Sequence, residues 1–112
     1  MNTTTINTIC KNYTSTKSSI NKDRAMAILS IVDTLLDIAD ENILEAERLE
    51  TNCRKQIEIW GFGPMCEAIT QLMGVKPIMS AKITDDAPLD ALDILAVVTG
   101  FDRAKVLFMI RE

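Results

Sequence analysis

The chain is predicted to be all-α, a small helical bundle of about five helices with one long helix in the N-terminal half and a tight two-helix hairpin at the C-terminal end. Three observations carry this prediction. Apolar residues recur at helical spacing from Leu29 to Trp60. No run alternates apolar and polar residues as a half-buried strand requires. Gly and Pro fall where the periodic stretches stop, at Gly61-Phe62-Gly63-Pro64, Gly74, Pro77, Pro88 and Gly100. With 112 residues, 47% of them hydrophobic, the chain can bury a single core; aromatics are only 4%, so aliphatic side chains and Met must fill it.

Residues 1–19 are rich in Thr, Asn and Ser, which favour caps and turns over helix interiors. They are expected to be a low-complexity, partly flexible segment, with a short helix near 5–13 marked by Ile6, Ile9, Cys10 and Tyr13. A single all-α domain follows over 20–112. Asn21 is placed to cap the long helix. Its stripe runs through Leu29, Val32, Leu36, Ala39, Ile43, Ala46, Cys53, Ile57 and Trp60. A continuous helix over 20–60 exceeds the usual ~8–20 residues, so a break at Asp40-Glu41-Asn42 is the alternative.

The glycine pair and Pro64 permit a sharp reversal into a helix over 65–73, which Gly74 closes. Pro77 is placed to open a short helix over 78–83. Asp85 or Asp86 then caps a segment with Pro88 in its first turn and Leu89, Leu92, Leu95 and Ala96 inward. Gly100 ends that helix, and Asp102 caps a last one with Val106, Met109 and Ile110 inward.

There is no histidine, which excludes imidazole general-base chemistry and imidazole metal ligation. The three cysteines, Cys10, Cys53 and Cys66, form no Cys-x-x-Cys pair. With no basic-then-apolar leader and no window near the ~20 apolar residues of a membrane span, the expectation is a cytoplasmic chain with reduced thiols and no membrane association. Cys66 sits early in a helix, where the dipole lowers a thiol pKa, but no base accompanies it, so an inert thiol is expected. No enzyme motif and no cofactor site emerge. Trp60, the one tryptophan, is expected to close the core at a helix end.

The formal net charge is −4, and it is unevenly spread. Asp33, Asp37, Asp40, Glu41 and Glu45 fall at i, i+4, i+7, i+8 and i+12, which places them on one helical face. A solvated face is the bland interpretation. The sharper one is a docking surface for a protein partner with a basic surface, competing with nucleic-acid phosphates for the same groove. Leu107 and Phe108, with Val97 and Val98, leave more apolar surface on the last two helices than one core contact uses, which predicts a symmetric homodimer.

Leu95, Ala96, Gly100, Phe101, Val106 and Met109 suit the inward positions of a helix-turn-helix unit, so 92–111 resembles the DNA-binding motif. That resemblance implies a transcriptional regulator whose Arg103, Lys105 and Arg111 meet nucleic acid. The outward face would be Asp102, Arg103, Ala104, Leu107, Phe108 and Arg111, in which two adjacent apolar residues stand where a base-reading helix carries polar ones. A second alternative rests on Glu47-x-x-Glu50 and Asp90-x-x-Asp93, each pair on one helix face, as in helical metal-dependent nucleotide pyrophosphohydrolases. No phosphate-binding cluster accompanies either pair. A short acidic chain of this kind is similar in size and charge to phage-type anti-defence factors, including anti-CRISPR proteins. The reading that results is a non-enzymatic acidic helical regulator or inhibitor that acts by protein–protein binding.

Overall fold

The computed structural model describes residues 20–111, so the expected helix near 5–13 lies outside the described residues. Five helices follow in order: α1 (Ile20–Ile38), α2 (Ile43–Trp60), α3 (Phe62–Met73), α4 (Ala91–Thr99) and α5 (Arg103–Arg111). The described residues contain no strand. The chain is a small all-α bundle.

The expected long helix takes the alternative with a break. Helix α1 winds down through Ala39 N–H to Leu35 O (3.0 Å) and Asn42 N–H to Ile38 O (2.7 Å). Asn42 then opens α2, its Oδ1 accepting from Glu45 N–H at 3.2 Å. Asn at an N-cap satisfies a donor that the helix itself leaves orphaned. The turn changes which residues face inward. Leu35 is buried where Leu36 was expected, and Leu36, Ala39 and Ile43 are exposed. Beyond the turn the expected stripe resumes with Ala46, Cys53 and Ile57 buried.

Gly61 ends α2 and opens α3 with φ +98°, a conformation that L side chains rarely adopt. A Cβ there would stand 3.0 Å from Pro64 Cδ, so conformation and space both favour glycine. Helix α3 buries Phe62, Met65, Cys66, Ala68, Ile69 and Leu72.

Two expectations for 75–90 are corrected. No helix forms over 78–83, because the backbone groups it needs are taken by side chains. Ile78 N–H donates to Asp90 Oδ2 (2.9 Å), and Lys82 N–H donates to Ser80 Oγ (3.3 Å). Ile78 O and Ser80 O both accept from Arg103. Such local and side-chain bonds offer the backbone an alternative to helix. Nor do Asp85 or Asp86 cap the next helix; they lie in a loop turned by Ala87 N–H to Thr84 O (3.0 Å). Helix α4 starts at Asp90, whose side chain accepts from Asp93 N–H while Asp93 accepts from Asp90 N–H, a reciprocal capping box. Leu89, expected inward, is therefore outside the helix and exposed.

Helix α4 is the centre of the molecule, packing against all four other helices. Ala91, Leu92, Ile94, Leu95 and Val98 are at most 1% exposed. Full burial of each larger aliphatic contributes about 1.5–3 kcal/mol. Arg54 of α2 donates to Thr99 O at the end of α4 (3.3 Å), placing a cation at the negative end of its dipole. Gly100 (φ +73°) reverses the chain, and Asp102 Oδ1 caps α5 by accepting from Lys105 N–H at 2.8 Å. Helix α5 packs on α3 and α4 alone among the described helices.

Candidate protein-docking surface

The acidic residues gather at the α1–α2 turn, though not as one unbroken helical face. Asp37 lies on α1, Asp40 and Glu41 in the turn, and all three are exposed. Asp33, higher on α1, is half-buried, and its Oδ1 is buried without a hydrogen-bond partner. Glu45 has crossed to α2 and is engaged by Arg48, whose Nε donates to its Oε2 at 3.0 Å. That hydrogen bond, helped by the guanidinium charge, lowers the Glu45 pKa. Four of the five carboxylates thus remain without an ion-pair partner among the described residues. No Lys or Arg occurs between Arg24 and Arg48, and Glu47 adds a sixth carboxylate to that stretch.

Between these acids stand exposed aliphatic side chains: Leu36 at 44% exposure, Ile43 at 62% and Leu44 at 80%. The helix break puts them there. Capping by Asn42 directs the start of α2 outward before its stripe reaches the core at Ala46. The corner is therefore an apolar knob flanked by negative charge, a composition suited to the centre of an interface with a charged rim.

The C-terminal hairpin is arranged differently from the expected outward face. Leu107 turns inward and is only 5% exposed, because it follows Val106 into the contact with α3 and α4. Arg103 also turns inward. Its Nη1 donates to Asp90 Oδ1 (2.9 Å) and Asp93 Oδ1 (2.8 Å). Nη2 donates to Asp90 Oδ2 (2.7 Å) and Ile78 O (2.5 Å), and Nε to Ser80 O (2.6 Å). The Arg103 side chain is 9% exposed and that of Asp90 only 1%. Burial pushes the Asp90 carboxyl up, but the guanidinium and the N–H groups of Ile78 and Asp93 outweigh it and hold the pKa below its ordinary value.

The sequence does not reveal this node: Asp90 and Asp93 pair as metal ligands only under the pyrophosphohydrolase alternative, and Arg103 faces nucleic acid only under the helix-turn-helix one. Their oxygens instead accept from Arg103 and from backbone N–H groups. The usable signal was the Asp-x-x-Asp spacing directly before an apolar run, which is a capping-box pattern. The other pair, Glu47 and Glu50, lies on α2. Among the described residues no group of three or more Cys, Asp or Glu is placed to hold a metal ion.

Phe108, Lys105 and Arg111 remain on the surface. Phe108 is 54% exposed, with Lys105 Nζ 5.1 Å from its ring centroid. A groove of about 470 Å³ runs between α5 and the loop at Met79, Ser80 and Ala81; Phe108, Ala104 and Arg111 line its other side over the buried Leu107. Among the described residues no carboxylate lines it.

The remaining candidates are structural. Burial pushes the Cys66 thiol up, and burial with the negative Glu50 does the same at Cys53, so both lose nucleophilicity. Trp60 is half-buried at the end of α2, with the Arg24 guanidinium 4.9 Å from its ring. No helix among the described residues is long and apolar enough to cross a membrane. No protein-family model, no curated protein and no solved structure matches the chain.

Proposed function

We propose that this protein is a small, non-enzymatic acidic regulator or inhibitor that works by binding a protein partner with a basic surface. The observation that supports this most is the α1–α2 corner, where exposed Asp37, Asp40 and Glu41 fall between exposed Leu36 and exposed Ile43 and Leu44 along the chain. Carboxylates so spaced attract Lys and Arg over a distance set by ionic strength, and the aliphatics supply the desolvated centre that charge alone lacks. A partner whose basic groove normally holds nucleic-acid phosphates fits this chemistry, and occupying that groove would block it, which is the mode of action of a phage-type anti-defence factor of the anti-CRISPR kind. The DNA-binding alternative loses its central residue, since all the polar atoms of the Arg103 guanidinium are engaged within the fold.

The test is an affinity capture with nuclease present, comparing the native chain with an Asp37→Lys, Asp40→Lys, Glu41→Lys variant. A partner retained by the native chain, released by salt and lost from the variant is the expected result. Thermal stability should be nearly equal, because exposed helix charges contribute little to folding. A direct titration with duplex DNA runs beside it. DNA binding abolished by Lys105→Ala with Arg111→Ala, and untouched by the acidic reversals, would overturn the proposal.

A further inference from the structure

The acidic corner and the α5 groove have opposite characters. The corner presents the exposed aliphatics Ile43 and Leu44, with Asp40 and Glu41 before them and Glu45 after them in the chain and no Lys or Arg between Arg24 and Arg48. The groove is concave and mostly apolar, lined by Met79, Phe108 and the buried Leu107. Among the described residues its charged lining residue is Arg111, with Lys105 over the outer Phe108 ring and exposed Lys82 next to Ala81. One chain thus carries both halves of a complementary contact. It cannot join them within itself, since α5 touches neither α1 nor α2 and the central α4 lies between.

We infer that the knob at Ile43 and Leu44 of one copy docks into the α5 groove of a second copy, so that the chain associates head to tail. The two surfaces differ, so the contact is heterologous rather than two-fold symmetric, and each added copy leaves its unused knob or groove free for the next. This departs from the symmetric dimer that Leu107 and Phe108 together suggest in the sequence, because Leu107 belongs to the core. Assembly follows from apolar burial at the centre and opposite charge at the rim, so it is concentration-dependent and weakens as salt rises. Ile43 and Leu44 also belong to the surface proposed above for a basic partner, so a second copy and that partner compete for one corner, while the sedimentation test below uses this chain alone.

Sedimentation velocity on the full chain tests it, with variants that each spoil one half. Leu44→Asp removes the knob, and Phe108→Ser or Arg111→Glu spoils the groove. All three positions are exposed, so each variant should keep its helices, which circular dichroism checks. The native chain should grow beyond a dimer with concentration, and each variant alone should lose that growth. Mixing a knob variant with a groove variant leaves one intact knob and one intact groove, so the mixture should reach a dimer and stop. A native chain that stays single at every concentration overturns the inference. So does a native dimer that the mixture fails to restore, because a symmetric interface would behave that way.

Discussion

Replacing Arg103 by Met should be among the most damaging changes to this fold outside its aliphatic core. The substitution keeps most of the side-chain length and removes the guanidinium from Asp90, which is 1% exposed and would keep only the N–H groups of Ile78 and Asp93. Removing one partner of a buried pair costs about 3–5 kcal/mol, and the two surviving donors place this case at the lower end, about 3 kcal/mol. A domain of this size shifts by roughly 4–8 °C per kcal/mol, so the midpoint should fall by roughly 12–24 °C. Thermal denaturation followed by circular dichroism at pH 7 measures this, with Arg111→Met on the exposed face of the same helix as the control. That control should move by no more than about 0.5 kcal/mol.

The pH dependence supplies a second, independent reading. In the native chain the Asp90 pKa is held below its ordinary 3.8, so its contribution is complete above that value and is lost as pH falls below it. In Arg103→Met the lowering partner is gone and burial acts with less opposition, so the carboxyl of the variant titrates at higher pH. Protonation then relieves the buried charge, and the gap between native and variant should narrow as pH drops from 7 toward 4. Adding Asp90→Asn to Arg103→Met should recover part of the loss at pH 7. A loss below about 1 kcal/mol, or a gap that stays constant with pH, would refute the reasoning.

Two further outcomes follow from the same geometry. Gly74 and Gly100 share a left-handed conformation, at φ +70° and +73°, so alanine at either should cost about 1–2 kcal/mol. A Cβ at Gly100 would also meet the Glu50 carboxylate, but that group ends a flexible side chain that can swing aside, while Gly74 has open space, so the two alanine variants should lose similar amounts in thermal denaturation. Burial pushes the thiols of Cys53 and Cys66 up, so peptide mapping after brief alkylation near pH 8 should find both unmodified in the native protein and both labelled in denaturant.

Helical periodicity made the bundle legible because it is a local property. Leu29, Val32, Ala46, Cys53 and Ile57 are buried where their spacing placed them. What spacing alone did not reveal was phase across a turn. Once Asn42 restarts the helix, Leu36 and Ile43 leave the stripe that they continue on paper. The loop before α4 was misread for a different reason. Pro77 and Pro88 are sound local signals for helix starts, but Arg103 takes the Ile78 and Ser80 carbonyls from a distant point in the chain. A bond spanning more than twenty residues has no periodicity to betray it. Arg103 and Leu107 were assigned to an outward face for the same reason, since a helix wheel does not say which side meets the rest of the protein. The acidic corner was visible as composition, and the fold added the exposed aliphatics at its centre.

The loop over 75–89 stands at the upper end of the ~12–15 residues usual for a connection without secondary structure, yet its described anchors crowd into its first half, at Ile78, Ser80 and Lys82. Past that point Asp85 and Asp86 are exposed, and the turn from Thr84 to Ala87 closes on itself without reaching a helix. This makes the tip a natural splice point for engineering. A fluorescent reporter, an affinity tag or a whole guest domain joined between Asp85 and Asp86 would leave the clamp upstream and the capped start of α4 downstream intact.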